Sequence, residues 1–377
     1  MTLKLLSKAT LGTLKLSNRM VLAPLTRCRA GAGYVPQAIN ATYYAQRASA
    51  GLIISEATQV SSNGIGYPST PGIYNQSQVE GWKKVTEAVH KEGGRIFLQL
   101  WHAGRVAHPS LLPSGEMPVA PSAIAANCMA DTADGQQPHV TPKALTLKEI
   151  SGIVEAFQQG ARNALNAGFD GVEIHGANGY LLDQFLQDNS NHRTDEYGGD
   201  VTNRARLLLE VIQAVIEVWG KERVGVRISP SSTFNDMHDS NKTATFSYVG
   251  NALNQFNLAY LHIIEPRIQG NVTITDDGTG LGARFFRSIF KGSIITAGGY
   301  DRESGEAILQ NGDADFIAYG RLFLANPDLP LRFALSKPLN RYDRNTFYSN
   351  GAKGYIDYPM LDEWYAAKRR VAILKGA

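Results

Sequence analysis

The chain has 377 residues, of which 43% are hydrophobic and 19% are charged, a composition typical of a protein that folds around a buried core. Its 37 basic and 34 acidic residues give a net charge of +3, which argues against nucleic-acid and membrane surfaces and favours a small-molecule partner. No apolar run reaches the ~18 residues of a membrane helix. Two distant cysteines favour a reducing compartment, so the cytoplasm is expected. An organellar leader is the alternative, because no acidic residue precedes Glu56.

The first predicted element is a short β-hairpin over residues 11–16, where polar and apolar residues alternate around a turn. Short apolar runs then recur along the chain, and each precedes a stretch with helical spacing. About eight runs are present, the number that closes a parallel (β/α)8 TIM barrel, so we predict an α/β barrel in one domain of residues 1–377, with the hairpin capping its bottom. An open doubly wound sheet is the alternative. The runs are 20–23, 51–55, 95–100, 171–175, 224–228, 260–264, 293–297 and 316–319.

Two of the predicted helices have clear start and stop signals. The first covers 147–167 with Thr146 as its N-cap, and the second covers 201–219 and ends before Gly220. Two insertions, around 109–142 and 234–245, are rich in Pro, Ser, Asn and Asp and are predicted to be loops over the strand exits. Such loops usually shape a binding pocket.

Polar residues and glycines follow the predicted strands, where barrel enzymes carry their active sites. The last two strands end in glycines beside an arginine, a pattern that favours an anionic phosphate group, although simple turns would also use glycine. The strand-end residues are Pro24, Leu25, Thr26, Glu56, Ala57, Gln99, Trp101, His102, His175, Arg227, Glu265, Pro266, Arg267, Gly298, Gly299, Gly320 and Arg321.

The fourth predicted strand leads into the segment His175-Gly-Ala-Asn178-Gly-Tyr180. If these residues form the first turn of a helix, His175 and Asn178 face the same way and can both donate to one oxygen, with Tyr180 beside them. This arrangement favours an electrophilic clamp next to a proton donor. A structural histidine is the alternative, and no metal site is expected because the other histidines lack ligand spacing.

Several motifs together resemble the Old Yellow Enzyme family of FMN-dependent ene-reductases, in the branch that includes plant 12-oxophytodienoate reductases. They are the segments 23–27, 98–105, 175–199, 319–321, 346–348 and 354–359, so the resemblance covers nearly the whole chain. It implies a barrel that holds FMN noncovalently. The implied FMN-binding residues are Pro24, Leu25, Thr26, Ala57, Gln99, Arg227, Gly299, Gly320 and Arg321. Gly298, which precedes Gly299 in the predicted phosphate corner, is added to this set.

The resemblance also implies the reaction, in which NAD(P)H, with NADPH favoured, reduces FMN and an α,β-unsaturated carbonyl compound is then reduced at the same site. His175 and Asn178 would bind the carbonyl oxygen, and Tyr180 would protonate the α-carbon. Nitro compounds are a further substrate class, and the protein is expected to be a monomer or homodimer. The implied substrate contacts are Trp101, Phe234, Arg267 and Tyr348, although Trp101 and Phe234 could equally be core aromatics.

Other protein classes remain open from the sequence. Another FMN-dependent barrel dehydrogenase or oxidase would need a different set of bases than His175, Asn178 and Tyr180. A flavin-free sugar-phosphate isomerase or a Schiff-base aldolase would share the phosphate corner, but no lysine ends a predicted strand. A non-catalytic FMN carrier would leave the clamp and the proton donor without a purpose.

Overall fold

The computed structural model describes residues 3–275 and 278–366. The predicted domain of residues 1–377 therefore includes short segments, 1–2, 276–277 and 367–377, that lie outside the described residues. The strands in chain order are β1 (Ala9–Leu11), β2 (Leu14–Leu16), β3 (Met20–Leu22), β4 (Leu52–Gln59), β5 (Ile96–Trp101), β6 (Val119–Ala120), β7 (Met129–Thr132), β8 (Gly135–Pro138), β9 (Lys143–Ala144), β10 (Gly171–Gly176), β11 (Val224–Ile228), β12 (Tyr260–Ile264), β13 (Ile268–Gln269), β14 (Val272–Thr273), β15 (Ile294–Ala297) and β16 (Phe316–Tyr319).

Helices follow the long strands and cover the outside of the sheet. In chain order they are α1 (Ala38–Ala45), α2 (Gln76–Lys91), α3 (Leu147–Asn166), α4 (Leu181–Leu186), α5 (Val201–Trp219), α6 (Lys242–Leu253), α7 (Ala283–Arg287), α8 (Arg302–Gln310), α9 (Arg321–Ala325) and α10 (Leu329–Ala334). Thr146 caps α3 as predicted, since its side chain accepts the N–H of Glu149. Among the described residues, no helix is both long and apolar enough to cross a membrane.

Eight parallel strands form a closed barrel in the order β3, β4, β5, β10, β11, β12, β15 and β16, and β16 pairs with β3 to complete the circle. The predicted (β/α)8 fold is therefore confirmed, and the open sheet is excluded. Each predicted run falls on a barrel strand. The one clear difference is β4, which continues to Gln59 because a bulge between Ile54 and Ala57 lets pairing with β5 resume.

The predicted N-terminal hairpin is also present, and it caps the bottom of the barrel. β1 and β2 pair antiparallel, and Leu11, Leu14 and Leu16 are buried against barrel side chains that include Phe97 and Tyr260. At the hairpin turn, a Cβ on Gly12 would lie 1.9 Å from the carbonyl oxygen of Glu222, so no larger residue fits there. The hairpin thus closes the end of the barrel opposite to the strand exits.

Large rings fill the lower barrel because two strands carry glycine opposite them. A Cβ on Gly171 would lie 2.3 Å from the Phe97 ring, and one on Gly225 would lie 2.1 Å from the Tyr260 ring. Above this apolar layer, the inward positions become polar. The structure therefore has three levels inside the barrel: an apolar plug, a polar layer and, at the carboxyl ends of the strands, an open cavity.

Candidate active site

A cavity of about 1020 Å³ opens at the carboxyl ends of the barrel strands, large enough for a cofactor together with a small substrate. It receives side chains from every barrel strand or its exit loop. The predicted site residues on its wall are Pro24, Leu25, Thr26, Ala57, Gln99, His175, Asn178, Tyr180, Arg227, Phe234, Gly298, Gly299, Gly320, Arg321 and Tyr348. The structure thus brings together residues that lie almost 325 positions apart in sequence.

The segment from His175 to Tyr180 is not the helical turn that the sequence suggested. His175 belongs to β10, and α4 begins only at Leu181. Between them, Asn178 and Gly179 have positive φ values of 59° and 74°, which a helix does not allow. The N–H of Gly179 donates to the carboxylate of Asp183 at 2.8 Å, which holds this tight turn. The end of β10 and the turn after it, rather than a helical face, place His175, Asn178 and Tyr180 on the cavity wall.

Burial decides the protonation of His175 and Tyr180. Burial, with the charge of Arg227 next, lowers the pKa of His175 well below its usual range, so its imidazole is neutral at pH 7. Burial likewise raises the pKa of Tyr180, which keeps its proton. The Tyr180 hydroxyl shares a 3.0 Å hydrogen bond with the hydroxyl of Tyr67. The site therefore offers a neutral imidazole and a protonated phenol side by side.

The phosphate corner predicted from the sequence is assembled from the exits of β15 and β16. Gly298, Gly299, Gly320 and Arg321 lie together on the cavity wall. Gly299 has a φ of 66°, and a Cβ there would approach the Arg321 guanidinium at 3.4 Å. Arg321 donates to the Thr273 hydroxyl at 2.6 Å, which fixes its fork beside the glycines. A cationic fork beside bare backbone is the arrangement that holds an anion.

Trp101 and Arg267 do not line the cavity, so the structure does not support their predicted direct contact with substrate. Trp101 is fully buried, stacks on Tyr67 and meets the edge of Tyr180 with ring centres 5.1 Å apart. It therefore supports the wall from behind, as a core aromatic does. The Arg267 guanidinium donates to the carbonyl of Gly298 and lies 4.6 Å from the centre of the Tyr300 ring, so its charge is directed into the wall.

The carboxy-terminal part of the cavity wall is tied to the exit of β3 by two arginines. Arg27 donates to the carbonyls of Phe347 and Gly354 at 3.0 and 2.7 Å. Arg29 donates to the carbonyls of Thr346 and Gly351 at 3.0 and 2.9 Å. These bonds hold the segment that carries Tyr348 against the cavity. Two arginines, neither of them a predicted site residue, therefore shape the site.

A buried carboxylate stands behind these arginines. Glu56 is 1% exposed and accepts the backbone N–H of Arg27 at 3.2 Å and the hydroxyl of Tyr44 at 3.2 Å. Burial raises the pKa of Glu56 to about 7, although its hydrogen bonds and the charge of Arg27 act in the opposite direction. Glu56 lies within the β4 bulge, directly before Ala57, which lines the cavity.

Sequence reasoning missed several wall residues that come from loops. Tyr67 follows β4, and its position after a strand exit was the only available signal. Asp131 and Thr132 belong to the β7–β8 hairpin inside the predicted 109–142 loop, which does shape the pocket as expected. Phe234 comes from the second predicted loop, 234–245. The last residues of that predicted loop belong to α6, which starts at Lys242.

Comparison with known proteins places this site in a family. Residues 4–340 match the NADH:flavin oxidoreductase / NADH oxidase family. The chain belongs to this family. A putative 12-oxophytodienoate reductase 2 from Oryza sativa subsp. japonica is 50% identical over 365 residues, which cover 95% of this chain and 94% of the relative. The 12-oxophytodienoate reductase 2 of Arabidopsis thaliana is 46% identical over 362 residues and 95% and 96% of the two chains.

Solved structures give the same result for this flavin oxidoreductase. Morphinone reductase superposes with a TM-score of 0.90 and 47% identity, covering 97% of this chain and 98% of its own. An old yellow enzyme homologue from Zymomonas mobilis gives 0.91 and 45%, covering 95% and 100%. The protein is thus an NAD(P)H-dependent FMN ene-reductase of the Old Yellow Enzyme type, as the sequence resemblance implied. Other FMN-dependent barrel dehydrogenases and oxidases are not favoured.

The chemistry of the cavity fits FMN held without a covalent bond. Nδ1 of His175 and Nε of Arg227 are buried and have no hydrogen-bond partner among the described residues, and both residues line the cavity. Unpaired buried polar nitrogens of this kind are costly unless a ligand satisfies them. The glycines and Arg321 provide an anion site, and Gln99 provides an amide. Polar ligand groups are therefore expected at both ends of the cavity.

Proposed function

We propose that this flavin oxidoreductase reduces the C=C bond of α,β-unsaturated aldehydes and ketones, with His175, Asn178 and Tyr180 as its catalytic residues. The observation that carries the proposal is a neutral imidazole, an amide and a protonated phenol within the segment 175–180 at the cavity wall. Bound FMN supplies the redox chemistry, taking hydride from NAD(P)H and giving it to the substrate. The residues of the chain bind, orient and protonate.

His175 and Asn178 donate hydrogen bonds to the substrate carbonyl oxygen in this proposal. Because burial keeps His175 neutral, it withdraws electron density through an N–H without releasing its proton. The β-carbon thereby becomes the hydride acceptor. Tyr180, whose phenol burial keeps protonated at pH 7, then transfers its phenolic proton to the α-carbon. Phe234 and Tyr348 confine the apolar part of the substrate.

The cofactor residues have separate tasks. Thr26, Gln99 and Arg227 bind the ring system of FMN by hydrogen bonds and charge, while Pro24, Leu25 and Ala57 pack against it. Gly298, Gly299, Gly320 and Arg321 hold its phosphate. Trp101 and Arg267 support the wall rather than touch substrate.

An anaerobic visible spectrum of the purified protein tests the proposal. NADPH should bleach the flavin band, and 2-cyclohexenone should restore it. Bleaching without recovery would contradict enone reduction and would favour an FMN carrier. A protein that is colourless and takes up no FMN would contradict the cofactor assignment and favour the sugar-phosphate isomerase class.

Further parts of the proposal concern the reductant and the state of the protein. We propose NADPH as the preferred donor, a monomer or homodimer in solution, one domain and a cytoplasmic location. The two free cysteines, Cys28 and Cys128, fit a reducing compartment. Rates of flavin reduction with NADPH and NADH, measured at equal concentrations, decide the first point, and light scattering decides the second.

A further inference from the structure

The polar layer between the plug and the cavity contains a carboxylate that the proposed mechanism does not use. Glu173 lies on β10, two residues before His175, and is 0% exposed. It does not line the cavity. A carboxylate buried this deeply is costly to maintain unless it is paired and hydrogen-bonded. Its partners therefore indicate what it does.

Glu173 is bonded through both oxygens. The side-chain nitrogen Nε2 of Gln99 donates to Oε1 at 2.7 Å, and Nδ1 of His262 lies 2.8 Å from Oε2. Burial alone would raise the pKa of Glu173, but His262, the charge of Arg227 and the bond from Gln99 lower it on balance. Burial lowers the pKa of His262. The pair is thus an anionic Glu173 and a neutral His262 that donates its Nδ1–H.

The bond from Glu173 fixes the orientation of Gln99. An ionised carboxylate only accepts, so the amide must turn its NH₂ group toward Glu173. The amide oxygen and the second N–H of Gln99 then remain for the cavity, which Gln99 lines. A donor and an acceptor side by side match the imide edge of a flavin ring. Without Glu173, the amide could bind in either orientation.

Glu173 also balances the charge of the polar layer. Arg227 is in register with His175 on one neighbouring strand and with His262 on the other, so the three lie at one level. With both histidines neutral, Arg227 and Glu173 carry the charges of this layer, +1 and −1. Arg227 would favour an anionic reduced form of bound FMN. The negative charge of Glu173 would reduce that preference.

We propose that Glu173 is a positioning residue of the cofactor site, which orients the Gln99 amide and offsets the Arg227 charge, and so sets the reduction potential of bound FMN. This inference rests on the proposed cofactor roles of Gln99 and Arg227. Removing one unit charge from such a layer changes the relative affinity for the two redox forms on the order of tenfold. A tenfold change corresponds to about 30 mV for a two-electron couple.

Two variants of the FMN-loaded enzyme test the proposal. Glu173→Gln keeps the shape and an acceptor for Gln99 but removes the charge, so the potential should rise by about 30 mV while oxidised FMN binds as in the wild type. Glu173→Met has a similar length but no acceptor, so it should show the same rise and several-fold weaker binding of oxidised FMN. Dye-coupled titration gives the potential, and recovery of FMN fluorescence gives the dissociation constant.

Asp328→Asn is the matched control, because Asp328 also pairs with a buried arginine, Arg332, at 2.6 Å but lies outside the barrel interior. The relative affinity of this variant for oxidised and reduced FMN, obtained from its reduction potential, should stay within threefold of the wild-type value. An unchanged potential in whichever Glu173 variant folds and binds FMN would overturn the charge role, and equal FMN affinities in both would overturn the orientation role. A wild-type protein that binds no FMN would instead contradict the proposed function itself.

Discussion

Replacing Tyr180 with phenylalanine separates the two halves of the proposed reaction. The change removes only the hydroxyl, which shares a 3.0 Å hydrogen bond with the Tyr67 hydroxyl and also hydrogen-bonds the side chain of Asn235. Loss of a positioned general acid costs about 10² to 10⁴ in rate, or ~3 to 5.5 kcal/mol of activation free energy. Flavin reduction by NADPH needs no proton from this group and should stay near the wild-type rate.

The same structure indicates that the variant will fold. The phenyl ring keeps its edge contacts with Trp101 and His175, whose ring centres lie 5.1 and 5.0 Å away. Two side-chain hydrogen bonds are lost, and each costs about 1 kcal/mol of folding free energy. The expected result is therefore a folded, yellow protein with one slow half-reaction.

Stopped-flow spectroscopy under anaerobic conditions measures each half-reaction separately. Tyr67→Phe is the matched control, since it removes the same hydrogen bond but leaves the Tyr180 proton in place. We expect it to slow the enone step by less than about tenfold, the cost of one hydrogen bond. If Tyr180→Phe slowed that step no more than Tyr67→Phe does, Tyr180 would not be the proton donor.

Three further predictions concern the clamp, a buried acid and the hairpin plug. His175→Ala and Asn178→Ala should each lower kcat/KM for an enone at least tenfold. Because both side chains donate to one oxygen, the double variant should lower kcat/KM by less than the product of the two single effects. Steady-state assays with 2-cyclohexenone measure these values. The pKa of Glu56 is about 7 in the folded protein, above its unfolded value of 4.5. The free energy of unfolding of the wild type, relative to that of Glu56→Gln, should therefore fall by up to about 3 kcal/mol as the pH rises from 4.5 to 7. Urea unfolding measures this difference, and a difference that does not change with pH would contradict the raised pKa. Gly12→Ala should lower the Tm more than Gly93→Ala, since both glycines have positive φ but only Gly12 faces a backbone oxygen; equal losses would show that contact to be unimportant.

The barrel was predictable from the sequence because its strands are buried on both sides and so read as continuous apolar runs. The bounds of β11, β12 and β16 agree with the predicted runs at every residue. The strand-end residues lie close together because parallel strands place their carboxyl ends at one edge of the sheet. β4 was predicted too short because a bulge shifts its register with β5, and no local pattern marks it.

Side-chain direction was harder to predict than position. The spacing of His175 and Asn178 suggested a helical turn, but the Asn178 backbone is left-handed because Gly179 and Asp183 fix a tight turn. Trp101 lies near the site, yet Tyr67, from the loop after β4, stacks on its ring. Glu173 was not singled out, although a carboxylate inside an apolar strand is itself a signal that a buried partner exists. Such details depend on contacts across the barrel, which a single sequence does not contain.

The arginine ties between the β3 exit and residues 346–354 have a consequence for how the enzyme is made. The bond from Arg27 to Phe347 joins positions 320 residues apart. At roughly 5 to 20 residues per second, the ribosome delivers the second partner about 15 to 65 s after the first. The nascent barrel can form its cofactor-binding strands during that time, while the two guanidinium groups still lack their carbonyl partners in residues 346–354. Synthesis therefore completes the substrate wall last, after the part of the chain that holds the cofactor.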